Sequence, residues 1–290
     1  MVTIEHIVGG GKGIAFHEGN TVFVPETAPG DRVRARIRSQ RGKIIQATIE
    51  EIIEPSPRRV EPPCPYFFAC GGCDFQQLSY EDQLETKVAM IQDSLRRIAK
   101  LDPLPDIPIT PSPEPLAYRS RAEWQIDQRG RKIGYFASGT HEVVDVEACP
   151  ILTPNLNTLL STLREDFAAG MVSREAFEYR ALEGDVGLAL EPTGASRSQL
   201  VMRTVGGHLY RYNAECFFQA NIPVTERLLE RVLEIADVAT DDPGMAIDLY
   251  CGVGLFTKPL ADRYRRVIGV ESDRTATAFA VENTGADQES

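Results

Sequence analysis

The chain has 290 residues, 42% of them hydrophobic and 25% charged, which supplies two or three domains with real cores and excludes a disordered protein. Its formal net charge of -11 counts against a protein that coats nucleic acid without sequence preference, because the overall field repels phosphate. The start, Met1 to Gly11, carries neither the basic nor the apolar stretch of an export signal, and no apolar run approaches a bilayer's width. The chain therefore reads as cytoplasmic, with no membrane partner and with reduced thiols in place of a disulfide framework.

Residues 1–54 alternate short β-rich runs with glycine and proline turn signals, the pattern of a small OB-like barrel, and such barrels commonly hold single-stranded RNA. In Arg32-Val33-Arg34-Ala35-Arg36-Ile37-Arg38, strand alternation places four arginines on one face and Val33, Ala35 and Ile37 on the other. Arg41 and Lys43 extend the basic row. With no acid inside the run, the row reads as a contact for RNA phosphates; a solvated strand face is the alternative.

Prolines between positions 55 and 65 end the barrel and lead into Cys64-x5-Cys70-x2-Cys73, to which Cys149, next to Pro150, adds a distant fourth thiol. Four thiolates can hold one metal centre, and Gly71-Gly72 lets the close pair converge. Zinc usually takes two short knuckles where this chain has one, so the spacing favours a 4Fe-4S cluster over zinc or unliganded thiols. The x3 and x2 spacing of an enzyme that cleaves S-adenosylmethionine by radical chemistry is not present.

Ser79 can cap a helix running to Lys100, with Leu84, Val88, Ile91, Leu95 and Ile98 at spacings of three and four. A second Pro-rich linker covers 103–115. From Tyr118 to Ile126 the chain alternates again, with Tyr118, Ala122, Trp124 and Ile126 on one face and Arg119, Arg121, Glu123 and Gln125 on the other. The plain reading is a half-buried strand; its outward arginines are candidates for RNA contact. Strands, loops and a helix near Asn155–Ala169 follow, and Pro223 suits the first turn of a helix carrying Leu228, Leu229, Val232, Leu233 and Ile235.

Near the end, Met245–Tyr250 reads as a buried strand, Cys251-Gly252-Val253-Gly254 as a tight loop, Leu255–Ala261 as a helix and Val267–Val270 as a second strand ending at Glu271. Strand, glycine loop, helix, strand and terminal acid make the nucleotide-binding half of a doubly wound sheet. Gly252 and Gly254 let a ligand approach the backbone, and Glu271 can accept ribose hydroxyls. A dinucleotide fold would place a third glycine near position 257, where Thr257 stands. The pattern therefore favours S-adenosylmethionine over NAD, with a structural glycine turn as the bland alternative. Cys251 reads as a small residue of the cofactor loop, with no histidine beside it to activate a thiolate, and Cys216 as a buried thiol.

Cys64-x5-Cys70-Gly-Gly-Cys73-x2-Gln76, Cys149-Pro150, Phe217-Phe218-Gln219-x-Asn221 and Asp248-Leu-Tyr-Cys-Gly-x-Gly254 together resemble the iron-sulfur RNA uracil-C5 methyltransferases over essentially the whole chain. The resemblance implies an α/β multidomain architecture. It comprises a TRAM-like barrel at 1–54, a central iron-sulfur and RNA-binding domain at 55–210, and part of a Rossmann-like methyltransferase domain at 211–290. The helix at 79–100 would pack on the last of these.

The resemblance also implies that Gln219, Tyr250 and Glu271 bind S-adenosylmethionine and that Phe217 lies near the target base. The family's glycine-loop asparagine corresponds to Leu255. In the family's chemistry a cysteine thiolate adds to uracil carbon 6, the enolate carbon 5 takes the methyl group, and a base removes the carbon-5 proton from a flipped-out nucleotide. The Cys-x-Pro nucleophile and Asp-Pro-Pro motifs of the family do not occur in this sequence, so the chain is expected to be truncated and inactive alone, with roughly 100 further residues needed to complete the domain. Ribosomal RNA is the expected partner; transfer RNA, or a noncatalytic iron-sulfur RNA-binding module, is the alternative.

Overall fold

A computed structural model describes residues 1–192, 199–237 and 244–285. The backbone forms two compact units, Met1–Pro111 with Phe136–Val144, and Ser112–Tyr135 with Asp145–Ser290.

The first unit is built on β1 (Val2–Thr3), β2 (His6–Val8), β3 (Lys12–His17), β4 (Asn20–Pro25), β5 (Arg32–Arg41) and β6 (Ile44–Glu54), in the spatial order β1-β5-β6-β4-β3-β2. Pairing is antiparallel except between β4 and β6. Alternation turns Val22, Val24, Val33, Ile45 and Ala47 inward, where they pack with Val2, Ile4 and Ala15. The two end strands are consecutive pieces of one segment: Ile4 N–H donates to Asp31 O (2.9 Å) while Glu5 N–H donates to Ile14 O (2.8 Å). Strand β5 departs from strict alternation. Ile37, expected on the core face, is exposed although its partner on β6, Ala47, is buried.

The fully buried Asp31 accepts from the backbone N–H groups of Ala28 (2.7 Å) and Ser56 (2.8 Å) and pairs with Arg59 (2.6 Å), which ties the proline-rich segment to the sheet. Helix α1 (Tyr80–Arg97) starts where predicted, with Ser79 Oγ accepting from Asp82 N–H (3.1 Å). Its predicted apolar stripe is only half covered: Leu84, Val88 and Leu95 are partly buried, while Ile91 and Ile98 are exposed.

After α1 the chain forms β7 (Arg121–Asp127), β8 (Lys132–Phe136) and β9 (Val143–Asp145), followed by helix α2 (Pro154–Ala168) and then β10 (Glu178–Glu183) and β11 (Leu188–Glu191). These strands form one sheet in the order β11-β10-β7-β8-β9. Ala122, Trp124 and Ile126 are buried, as the alternation predicts, and α2 buries Leu156, Leu160 and Leu163. The hairpin β12 (Leu200–Val205) and β13 (His208–Asn213) leads into α3 (Ile222–Ile235), capped by Asn221 with Pro223 in its first turn.

The last stretch holds β14 (Met245–Leu249), α4 (Thr257–Ala261), β15 (Arg266–Val270) and α5 (Arg274–Thr284), with β14 and β15 paired in parallel. Helix α5 lies beyond the last element that the sequence pattern marks; Asp273 Oδ1 caps it by accepting from Ala276 N–H (2.8 Å). One expectation is corrected here. Strand β14 is not a buried strand: only Asp248 is buried, and Met245, Ile247 and Leu249 are exposed because no described element covers that face of a two-stranded sheet. No described helix is long and apolar enough to cross a membrane.

Candidate functional site

The loop after β14 carries the backbone geometry that a close ligand needs. Tyr250, 89% exposed as a residue, enters the left-handed region (φ 64°), and Gly252 (φ 55°) and Gly254 (φ 90°) complete the turn. A Cβ on Gly254 would stand 3.4 Å from Thr284 Cγ2 and 3.6 Å from Ala280 Cα, ordinary contact distances, so the positive φ rather than crowding by α5 is what calls for glycine here. Cys251 N–H donates to Val270 O (3.0 Å), which keeps the loop level with the end of β15.

Glu271 lies at that end. Its Oε2 accepts from Gly252 N–H (2.9 Å), and its Oε1 accepts from Ser272 N–H (2.6 Å) and Asp273 N–H (2.9 Å). The Asp273 N–H, with those of Gly252 and Ser272, holds the carboxyl below its ordinary value despite partial burial. A carboxylate offers about four acceptor positions, so Oε2 keeps capacity for a further donor. This is the arrangement expected of an acid that receives ribose hydroxyls.

Asp248, the first residue of the motif, and two residues that the sequence does not single out, Asn283 and Tyr210, hold the loop. Asp248 is buried and accepts from Thr257 Oγ1 (2.6 Å); burial pushes its carboxyl up. Asn283 on α5 accepts from Arg211 N–H (2.8 Å) and donates to Arg211 O (3.0 Å) and Val253 O (2.9 Å). Tyr210 OH donates to Leu255 O (2.9 Å). The Asn283 and Tyr210 links join residues 30 to 72 positions apart, so no local pattern announces them.

Gln219 and Phe217 sit between β13 and α3. Burial alternates along this segment: Cys216 and Phe218 are inside, Phe217 is 68% exposed, and Gln219 is half-buried. Phe218 stacks on Tyr212 (4.4 Å between centroids) and shares one hydrophobic core with Val253 and Leu255 of the glycine loop. Neither internal cysteine is poised as a nucleophile. Burial pushes the Cys216 thiol up to about 11, and burial together with the Asp248 carboxylate raises that of Cys251.

The basic row on β5 is not a bare positive face. Arg32 pairs with Glu54 (2.5 Å), Arg34 with Glu51 and Arg36 with Glu50 (2.7 Å), while Arg38 donates to Thr48 Oγ1 (3.2 Å). The acids missing from the run come from the neighbouring β6. Among the described residues Arg41 and Lys43 form no ion pair and are exposed. Arg119 is exposed and its Nε donates to Arg121 O (3.0 Å). Arg121 is not outward: its side chain is 12% exposed, and its guanidinium donates to Cys216 O and to Glu123 Oε1 (3.0 Å).

Cys64, Cys70 and Cys73 occupy the loop between β6 and α1, each partly buried. Gly71 N–H donates to Phe136 O (2.9 Å), and a Cβ there would stand 3.0 Å from that oxygen and 3.1 Å from Ser138 Cα, so this glycine serves a close backbone approach. Cys149 lies in the second unit, where its N–H donates to Asn157 Oδ1 (2.8 Å). All six cysteines are thiols. Among the described residues no three His, Cys, Asp or Glu side chains are grouped so as to hold a metal ion.

Known proteins resemble this chain along its whole length. A protein-family profile described as tRNA (Uracil-5-)-methyltransferase matches residues 200–289. The 23S rRNA (uracil(1939)-C(5))-methyltransferase RlmD of Pseudomonas savastanoi is 31% identical over 321 residues, covering 97% of this chain and 70% of that protein. Its counterpart in Pectobacterium atrosepticum is 30% identical over 307 residues, covering 93% and 67%. The crystal structure of Pyrococcus abyssi tRNA (uracil-54, C5)-methyltransferase in complex with S-adenosyl-L-homocysteine superposes on 100% of this chain and 78% of its own, with a TM-score of 0.71 at 21% identity, a likeness of fold.

Proposed function

Because this chain belongs to the RNA (uracil-5-)-methyltransferases, we propose that it serves the S-adenosylmethionine-dependent methylation of uracil carbon 5 in 23S ribosomal RNA. The observation that carries the reading is the pinned Glu271 carboxylate beside a glycine loop at positive φ. The residues fit an adenosyl ligand. Glu271 would accept ribose hydroxyls, Gly252 and Gly254 would let the ligand approach the backbone, and the exposed Tyr250 ring would cover the adenine. Gln219 would contact the cofactor from the neighbouring loop. When bound, the cofactor supplies a methyl group on a sulfonium, electrophilic enough for carbon 5 of an activated uracil.

The protein's own residues supply position. Thr257 and Asp248 fix the start of α4, Asn283 and Tyr210 fix the loop backbone, and the exposed Phe217 offers a face on which a flipped-out base can stack. In the first unit, one continuous segment carries both end strands of the sheet, which supports a small TRAM-like barrel. Arg38, Arg41, Lys43 and the exposed Arg119 are the proposed phosphate contacts. For Arg32, Arg34 and Arg36, phosphate would have to displace a paired glutamate. A 4Fe-4S cluster on Cys64, Cys70, Cys73 and Cys149 rests on sequence spacing alone.

The named substrates of the two relatives favour ribosomal RNA; the family profile's description favours transfer RNA as a second reading. Methyl-labelled S-adenosylmethionine, offered with unmodified 23S ribosomal RNA or transfer RNA to the protein, separates them. Label in 5-methyluridine of ribosomal RNA supports the first reading, label in transfer RNA alone selects the second, and label in neither sinks both.

A further inference from the structure

Ser120 and Arg121, the residue before strand β7 and its first residue, hold the segment that carries Phe217 and Gln219 at both ends. At the near end the Arg121 guanidinium donates to Cys216 O. At the far end Ser120 donates to Ala220 O twice, from its backbone N–H (2.9 Å) and its hydroxyl (3.0 Å). Asn221, the next residue, caps α3 through Oδ1 (3.3 Å to Val224 N) and donates to Ser112 Oγ (3.0 Å). Phe218 is locked from below by its stack on Tyr212.

Between these fixed points Phe217 is the side chain most exposed to solvent. Leaving a large aromatic in water brings no burial energy, and a free loop would fold the ring down or disperse its orientations. Here the backbone on either side cannot follow. Arg121 is suited to this task and poorly suited to RNA. With only 12% of its side chain exposed and its planar fork shared between a backbone carbonyl and Glu123, little of its charge is available to a phosphate.

We propose that Arg121 is a positioning residue, whose tether to the Cys216 carbonyl presents Phe217 as a preorganised stacking platform for a nucleobase of the RNA substrate. The inference rests on the reading above that Phe217 faces RNA. Ordering the ring before RNA arrives removes from binding the entropy of fixing a loop.

The test measures binding of a uridine-rich single-stranded RNA oligonucleotide by fluorescence anisotropy across a salt series. It uses the 290-residue chain, Arg121→Ala, Arg121→Lys, Phe217→Ala and the double variant Arg121→Ala/Phe217→Ala. Stacking of one base contributes a roughly 5- to 150-fold gain in affinity, so Phe217→Ala should lose an amount in that range. Arg121→Ala should lose a comparable amount, the double variant no more than either single one, and the salt slope should stay as in wild type throughout.

Arg121→Lys keeps the charge but cannot span Cys216 and Glu123 with one planar fork, so it should not restore binding. Hydrogen exchange at the amides of 217–219 should rise in both Arg121 variants while the melting temperature of Arg121→Lys moves little. A salt slope lowered by about 0.7–1, with binding restored in Arg121→Lys, would make Arg121 a phosphate contact and overturn the proposal. So would additive losses or unchanged exchange at 217–219. If Phe217→Ala binds RNA as wild type does, the reading of Phe217 falls and the platform with it; if Phe217→Ala weakens binding and the Arg121 variants do not, only the role of Arg121 falls.

Discussion

Replacing Glu271 with Gln tests the cofactor site at its most specific point. The carboxylate already receives three backbone N–H groups, two on Oε1 and one on Oε2. A glutamine that keeps its oxygen at Ser272 and Asp273 turns its NH2 toward Gly252 N–H, donor against donor, and has no acceptor left for a ribose hydroxyl. Losing one hydrogen bond to a charged acceptor costs about 1.5–3 kcal/mol, so affinity for S-adenosylhomocysteine, measured by calorimetry, should fall roughly 10- to 150-fold.

The same substitution has a pH signature. The folded-state pKa of Glu271 lies below its ordinary value of 4.5, so its contribution to stability is present above that value and disappears as pH falls through the lower folded pKa. Urea melts of wild type and Glu271→Gln should therefore differ near neutral pH and converge in acid. Equal affinity for S-adenosylhomocysteine in the two proteins would refute the assignment of Glu271 to the ribose.

Tyr250 holds a left-handed backbone with an exposed ring, so Tyr250→Ala and Tyr250→Gly should weaken cofactor binding alike while differing in stability. Relief of roughly 1–2 kcal/mol of strain against roughly 0.4–1 kcal/mol of extra unfolded-state entropy makes the glycine variant about 0.5–1 kcal/mol the more stable in urea melts. On β5, Arg34→Ala plus Arg36→Ala should lower the salt slope of RNA binding by less than about 1, whereas Arg41→Ala plus Lys43→Ala should lower it by about 1.4. Anaerobically purified protein should contain iron and absorb broadly near ~400 nm, colour that Cys70→Ser removes; stoichiometric zinc without iron would defeat the cluster reading. Any methyl transfer by the 290-residue chain should survive Cys216→Ala and Cys251→Ala, whose parent thiols are both raised by burial, and loss of label in Cys251→Ala would reassign the nucleophile.

What the sequence made legible was local. The Ser79 cap, Pro223 in the first turn of α3, and the order of strand, glycine loop, helix, strand and acid are set by neighbours in the chain. What it hid depends on which distant residues meet. The glutamates that match the β5 arginines come from β6, and register shifts decide their positions. Arg121 alternates outward in its strand, but the Cys216 segment covers it. The clasp of Asn283 on Arg211 and Val253 joins three elements that no spacing rule connects. Strand β14 has the apolar composition of a buried strand, but burial depends on a covering element, and composition cannot report whether one is there.

The measurement that bears most directly on the account is a map of 5-methyluridine in 23S ribosomal RNA and transfer RNA from cells lacking this gene, then complemented with the wild-type gene or with Glu271→Gln. Loss of 5-methyluridine at one 23S position, restored by the wild-type gene and restored poorly by Glu271→Gln, is the predicted outcome. Unchanged maps of both RNAs in the deletion strain would contradict it.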